Sequence, residues 1–316
     1  MVILNSSEEE KLTVKERIYY YQVLKEYLLA SKHQNLSFGS LSICPKINPV
    51  IRTVLNKGCG YKIYVEDCNV DGLVGIYAFT HQDKFDHVNL VVSNPNHTIL
   101  LNSRVLAPIY KAVLNLNGVV YVDKASKEDR AKVKLELLRL LYSEKSITIF
   151  PESAWNLSPN KLHLPMYRGV VDIARKTGLP IIPIVQEYEY KNKDDGKEHI
   201  DYVVVRYGEP IYVKPTDDLG DKLDEVSTSF ATMRFDEIQK KGVFSREQVN
   251  ADYFNFVKAS KRNLEAAGID ILVEEQHIFG AQDPFYQTHY LNAVDFDDDG
   301  NVLEKGNSKT IKKITN

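Results

Sequence analysis

Two short apolar runs, each breaking into a polar turn, constrain this chain more than any other feature. Leu73-Val74-Gly75-Ile76-Tyr77-Ala78-Phe79 leads into Thr80-His81-Gln82-Asp83-Lys84-Phe85-Asp86, and Ser146-Ile147-Thr148-Ile149-Phe150 leads into Pro151-Glu152-Ser153. Runs this short and this apolar read as strands buried on both faces, the pattern of a parallel sheet with helices between its strands. In open α/β sheets, reactive groups gather just past the carboxyl ends of strands. One histidine and two carboxylates, His81, Asp86 and Glu152, are thereby predicted to share a crevice.

The chemistry suited to such a group is general base catalysis. A neutral imidazole titrates near physiological pH, and a carboxylate beside it fixes its tautomer and stabilises the imidazolium. Five positions separate His81 from Asp86, about 140° around a helix, so the two do not share a helical face. They meet only if His81 lies in the turn and Asp86 in the first helical turn. The same residues also read as an ordinary polar helix start with Asp83 near the N-cap.

The order of four blocks along the chain resembles the glycerolipid acyltransferase family, whose best-known members are the 1-acylglycerol-3-phosphate acyltransferases. The family's His-x4-Asp block is matched by His81 and Asp86. Its Gly-x-x-Phe-x-Asp-Arg block is matched by Gly118-Val119-Val120-Tyr121-Val122-Asp123-Lys124. Its Phe-Pro-Glu-Gly-Thr block is matched by Phe150-Pro151-Glu152-Ser153-Ala154, and its late proline block by Leu179-Pro180-Ile181-Ile182-Pro183. The small-residue helix starting at Arg168-Gly169 sits where the family has one, and the resemblance covers roughly residues 60 to 210.

The resemblance implies an O-acyltransferase that moves a fatty acyl group from an acyl thioester, of coenzyme A or acyl carrier protein, to a hydroxyl of a lysolipid, glycerol phosphate or related acceptor. It implies no cofactor beyond that co-substrate. His81 would take the acceptor proton with Asp86 orienting the ring, Glu152 and Ser153 would contact the acceptor, and Lys124, Arg130 and Arg168 would meet anionic groups. Three departures stand out. Lys124 replaces an arginine, Ser153-Ala154 replaces Gly-Thr, and Trp155 stands where the family often has a further arginine. A guanidinium grips phosphate in a bidentate fork, which neither lysine nor tryptophan can do.

The fold class expected is α/β: a glycerolipid acyltransferase-like mixed, largely parallel sheet covered by helices, with an N-terminal helical region and a C-terminal α+β extension. Three regions are read along the chain: helical over 1–57, acyltransferase-like over 58–214, and a helical extension with a hairpin over 215–316. Strands are expected near 61–66, 72–79, 98–101, 119–122, 147–150 and 181–185, and helices over 84–92, 104–116, 127–142 and 167–176, the last closed by Gly178 at a C-cap. Segments 187–190 and 202–206 read as an antiparallel hairpin around a polar turn, and 217–266 as a charged helix.

Hydrophobic residues make up 43% and charged residues 26% of the chain, ordinary for a globular protein, and the formal net charge of -3 argues against a general nucleic-acid binder. Cys44, Cys59 and Cys68 form no CxxC pair, so neither a disulfide framework nor a zinc cluster is expected, and the cytoplasm is the compartment read from them. Residues 1–10 carry no basic start followed by an apolar core, so no leader is expected there, and no run reaches the ~20 apolar residues of a membrane span. Between Val14 and Ala30, tyrosines and leucines interleave with Lys15, Arg17 and Lys25. That stripe fits a helix lying in a membrane interface, giving peripheral contact, and equally a helix packed on the protein's own core.

Two metal readings accompany these. His81, Asp83, Asp86 and His87 are residue types that bind zinc or iron, as in a metal-dependent hydrolase, although the spacing departs from the usual one. Asp295-Phe296-Asp297-Asp298-Asp299-Gly300 follows a calcium loop over its first positions, but Gly306 occupies the place of the bidentate glutamate, and an Asp-Gly hairpin turn explains the same residues. A non-catalytic acyl- or lipid-binding module is the remaining alternative.

Overall fold

A computed structural model of the protein describes residues 13–31, 44–83, 85–103, 115, 117–123, 126–153, 155–156, 162–192, 198–242, 294–296 and 302–304. A seven-stranded sheet forms its centre, in the order β1-β7-β6-β2-β5-β3-β4. The strands are β1 (Lys62–Glu66), β2 (Ile76–Phe79), β3 (Thr98–Ser103), β4 (Val119–Val122), β5 (Ser146–Ile149), β6 (Ile181–Asn192) and β7 (Glu198–Tyr207). The helices are α1 (Val14–Ser31), α2 (Cys44–Gly58), α3 (Asp86–Ser93), α4 (Lys127–Tyr142), α5 (Gly169–Thr177) and α6 (Leu219–Lys240). This is the mixed, mostly parallel α/β architecture expected from the sequence.

The apolar runs fall where their composition sends them. β2 pairs in parallel with β5 on one side and β6 on the other, and every residue of β2 and β5 is buried. Such strands have no solvent face, which is why they read as continuous rather than alternating runs. One core, with Ile76, Ala78, Leu137, Ile147, Val171 and Phe230 among its members, lies under α4, α5 and α6. The other, with Tyr77, Phe79, Leu90, Ile182, Ile184 and Val205, lies under α3.

Local signals set several boundaries. α4 begins after Ser126, whose hydroxyl accepts from the Asp129 amide 3.1 Å away, and α6 begins after Asp218, whose carboxylate accepts from the Gly220 and Asp221 amides. α5 ends on Gly178 at φ +69°, a left-handed conformation that a Cβ would penalise.

Segments 181–185 and 187–190, expected as separate strands, are one strand, because buried Gln186 continues the ladder between them. The expected hairpin partner is β7, which runs antiparallel to β6, and β1 lies parallel to β7 at the sheet edge, so these two run against the other five. The helix expected over 217–266 ends at Lys240; from 243 onward that segment lies outside the described residues, as does most of 104–116. Near the C-terminus, β8 (Val294–Phe296) pairs antiparallel with β9 (Val302–Glu304), while the acidic loop 297–301 between them is outside the described residues.

Candidate active site

Register places the two blocks side by side. Ala78 pairs with Ile149, so the chain leaving β2 at Thr80-His81 runs next to the chain leaving β5 at Phe150-Pro151-Glu152. Residues 71 apart in sequence then touch: the His81 amide donates to Glu152 Oε1 at 3.1 Å. The loop grips the other side of the same residue through the Asn156 amide, which donates to the His81 carbonyl at 2.6 Å.

His81 lies in the turn and Asp86 is the first residue of α3, the one arrangement that lets the pair meet. His81 Nδ1 and Asp86 Oδ2 are 2.6 Å apart, with side chains 13% and 0% exposed. Asp86 Oδ2 also accepts from the Gln82 and Asp83 amides, and Oδ1 from the Tyr188 hydroxyl at 2.6 Å. These amides lie in the turn ahead of α3, so the carboxylate folds that turn back onto the helix start while it holds the imidazole. An ionised Asp86 fixes the hydrogen on Nδ1 and makes Nε2 the basic nitrogen. The ring stacks on Phe150, centroids 4.3 Å apart, with Trp155 edge-on at 5.9 Å.

Burial pushes the Asp86 carboxyl up to about 6, opposed by hydrogen bonds from Tyr188, Gln82 and Asp83 and by the nearby His87. Burial likewise pushes Glu152 up to about 7, opposed by the Leu164 and His81 amides and by Arg234, while Asp86 adds to the rise. Two buried acids displaced toward neutrality beside one histidine are the arrangement expected where proton transfer is organised.

His81 lines a cavity of about 650 Å³. Its walls are apolar, from Leu101, Val122, Val133, Leu137, Ile149 and Ile173, and Arg130, Lys134 and Arg168 add cationic groups. Lys134 is paired with Asp172 at 2.8 Å. Ser153 also faces the cavity, at φ +62°, in the left-handed region where a glycine sits without strain.

Of the residues singled out in the sequence, His81, Ser153, Arg130 and Arg168 line this cavity and Asp86 stands directly behind His81. Lys124 lies outside the described residues. Glu152 is 0% exposed and faces away from the cavity: Oε1 holds the His81 amide and Oε2 accepts from the Leu164 amide at 2.7 Å, so it ties the two loops together. His81 Nδ1 is committed to Asp86 and His87 packs 5.1 Å from the Phe150 ring. Among the described residues no group of His, Cys, Asp and Glu is placed to hold a metal ion.

Tyr188, Asn89 and Gln186 escaped the sequence reading. Asn89 lies one turn beyond Asp86 and donates to the Tyr188 hydroxyl at 2.7 Å and to Gln186 Oε1 at 2.9 Å. Thr80 Oγ1 accepts from the Gln186 amide. The available signal was polar residues inside apolar runs: Gln186 within β6, and Asn89 ahead of Leu90-Val91-Val92.

Comparison with known proteins adds to this geometry. The family model described as Acyltransferase matches residues 65–187. These residues form an acyltransferase domain. The domain holds His81, Asp86, Glu152, Ser153, Arg130 and Arg168, and its boundary at 187 falls inside β6, just before Tyr188. Among solved structures, the 1-acyl-sn-glycerophosphate (LPA) acyltransferase PlsC from Thermotoga maritima superimposes with a TM-score of 0.52 at 16% identity, over 72% of this chain and 96% of that one. That likeness shows a shared fold. Comparison with curated proteins finds no significant match.

Proposed function

We propose that the acyltransferase domain moves a fatty acyl group from an acyl thioester, of coenzyme A or acyl carrier protein, to a hydroxyl of a lysolipid, glycerol phosphate or related acceptor. The observation that carries this reading is the His81–Asp86 pair standing at the wall of a largely apolar cavity with arginines around it.

The steps follow from those residues. His81 Nε2 takes the acceptor hydroxyl proton as the oxygen attacks the thioester carbonyl carbon, and Asp86 stabilises the imidazolium that results. The tetrahedral intermediate collapses by breaking the C–S bond, and the departing thiolate takes the proton back from Nε2. No further cofactor is required by this cycle. The apolar walls accept the acyl chain, since each buried methylene gains about 0.8 kcal/mol. Arg130, Arg168 and the first turn of α5 supply positive potential for phosphate on donor or acceptor, Lys124 is a further candidate, and Ser153 offers a hydroxyl to the acceptor. Glu152 serves the acceptor through the loop that it braces. With Trp155 in place of an arginine beside His81, acceptors whose hydroxyl lies away from a phosphate are favoured.

A lipid acceptor calls for a membrane-facing surface. No helix among the described residues is long and apolar enough to cross a membrane. α1 packs on α4, which lines the cavity, and leaves Ile18, Tyr21, Leu28 and Leu29 about half exposed, while α2 leaves Val50 and Val54 exposed. These side chains support peripheral attachment, which we place at the cytoplasmic membrane face.

The test is to incubate pure protein with labelled acyl thioester and a panel of lysolipids, glycerol phosphate and glycosylated acceptors. A new ester formed in step with thiol release is the expected result. Free fatty acid formed at the same rate with and without every acceptor would overturn the reading.

A further inference from the structure

Asp86 has two oxygens, and the proposed chemistry uses only one of them. Oδ2 serves His81 and the turn amides, whereas Oδ1 accepts from the Tyr188 hydroxyl, carried by β6 from 102 residues away. The Tyr188 oxygen in turn accepts from Asn89 Nδ2 at 2.7 Å, and the Asn89 amide is fixed on both sides. Its second hydrogen goes to Gln186 Oε1 at 2.9 Å, and its Oδ1 accepts from the Tyr61 hydroxyl at 2.7 Å. Gln186 is itself fixed, with Nε2 donating to the Thr80 carbonyl at 3.2 Å, one residue before His81.

We propose that Tyr188 is a positioning residue of the His81–Asp86 pair, the near end of a buried donor chain running Asn89 to Tyr188 to Asp86 and anchored at Tyr61 and Gln186. The inference rests on the proposed role of the pair. Both links donate toward the carboxylate, so each polarises the next, and they do so where water does not compete. Asp86 and Asn89 are 0% exposed and Tyr188 is 5% exposed. A carboxylate held at Oδ2 alone, by His81 and the turn amides, could still turn about its terminal torsion, which is a broad one. With Tyr188 on Oδ1 the plane of the carboxylate is fixed, and with it the plane of the imidazole.

The chain also sets where the pair titrates. Among the described residues, the titratable groups facing Asp86 are His81 and Asp83 from the turn, His87 from α3, Tyr188 from β6, Glu152 from the loop after β5, and Tyr61 beyond Asn89. Of these, Tyr188 is the neutral donor bonded directly to Oδ1, and it favours the ionised form. Removing the hydroxyl makes the carboxylate harder to ionise, so the pair holds its proton to higher pH. Because the base works only when that proton is gone, the acidic limb of kcat then moves to higher pH.

The experiment compares Tyr188→Phe with 3-fluorotyrosine incorporated at 188, in the full-length protein, by nitrogen NMR of the His81 ring and by the pH dependence of thioester-dependent acyl transfer. The phenylalanine variant should move the titration of the pair up by about one pH unit, a shift typical of losing a hydrogen bond to a charged group. It should also lower kcat by roughly tenfold or more with little change in KM. The fluorinated phenol is a stronger donor of the same shape and should move the titration down. Tyr77→Phe is the control. Its hydroxyl also sits between an asparagine amide and an acceptor, Asn96 and the Leu73 carbonyl, at the opposite end of the sheet, so it should leave the pair's titration unchanged.

Titrations of the phenylalanine and fluorinated proteins that coincide with wild type would overturn the inference, and the fluorinated protein decides alone if Tyr188→Phe does not fold. If the titration shifts while wild-type protein transfers no acyl group to any acceptor, the positioning role stands and the acyltransferase mechanism falls. Acyl transfer with no shift has the opposite meaning.

Discussion

Buried polar networks occupy both ends of the central sheet, and they differ in one respect. At the amino-terminal ends of the strands, Asn48 Nδ2 donates to Asn117 Oδ1, Asn117 Nδ2 to the Thr98 carbonyl, and Thr148 to Thr98, while His97 bonds the Asn117 carbonyl and Asn96 bonds Tyr77. These groups are amides, hydroxyls and a histidine that burial pushes down and so keeps neutral. At the carboxyl ends the same kinds of bond converge on two acids, Asp86 and Glu152, that burial pushes up. A network of neutral groups staples loops and does little else. One that surrounds displaced acids stores the capacity to move a proton, at a cost in stability when those acids ionise.

Asp86→Asn attacks the carboxyl-end network at its centre. Asparagine presents only one oxygen to partners that are all donors, so the imidazole loses both its orientation and its counter-charge. Acyl transfer should fall on the order of a hundredfold to ten-thousandfold in a folded protein, measured by thiol release with matched circular dichroism spectra. Wild-type turnover would erase the difference drawn between the two ends.

Asn117→Ala makes the reciprocal cut. It strands the Asn48 amide in the interior, so unfolding free energy should drop by about 1–3 kcal/mol in urea titrations. The rate per folded molecule should stay at the wild-type level, because none of Asn48, Asn96, His97, Thr98, Asn117 and Thr148 lines the cavity.

The two ends should also respond oppositely to pH. Asp86 and Glu152 titrate higher in the folded chain than the usual unfolded values near 4, so the stability they confer is complete below about pH 4 and is lost as pH rises through 6 to 7. His97 titrates lower when folded, so its contribution is present above pH 6.5 and lost as pH falls. Glu152→Gln removes one acid from the first group. Between pH 5 and pH 8 wild-type stability should decline relative to Glu152→Gln by on the order of 1–3 kcal/mol, in urea titrations run at each pH. Parallel curves would show that Glu152 does not ionise in this range.

Ser153→Gly is the mildest probe. At φ +62° a side chain costs roughly 1 kcal/mol, so the melting temperature should rise by a few degrees at most. A fall in acyl transfer alongside that gain would assign acceptor contact to the lost hydroxyl.

Much of the carboxyl-end site was legible because local rules generate it. Buried parallel strands must be apolar throughout, so β2 and β5 announce themselves, and groups past their ends must meet. A helix that starts at Asp86 brings its carboxylate back to His81 within six residues, and Ser126 and Gly178 mark helix ends by side-chain and backbone chemistry alone. What escaped was set by register over long separations. Tyr188 reaches Asp86 only because β6 pairs with β2 and runs on past the sheet's parallel part, and no local pattern reports that pairing. Glu152 was legible as a site residue but not as a brace, because its partners are the amides of His81 and Leu164 in separate loops. The reversed direction of β7 was legible from the hairpin expected over 187–190 and 202–206, whereas the parallel pairing of β1 along it was not.

The central claim is that His81 is the base, and its direct test is the thioester assay on His81→Ala beside wild type, with the acceptor that wild type esterifies. His81 is a partly exposed turn residue whose backbone, not its ring, is held by Glu152 and Asn156, so the variant should fold. The account predicts that ester formation drops on the order of a hundredfold to ten-thousandfold with the circular dichroism spectrum unchanged. Near wild-type ester formation by folded His81→Ala protein would contradict it.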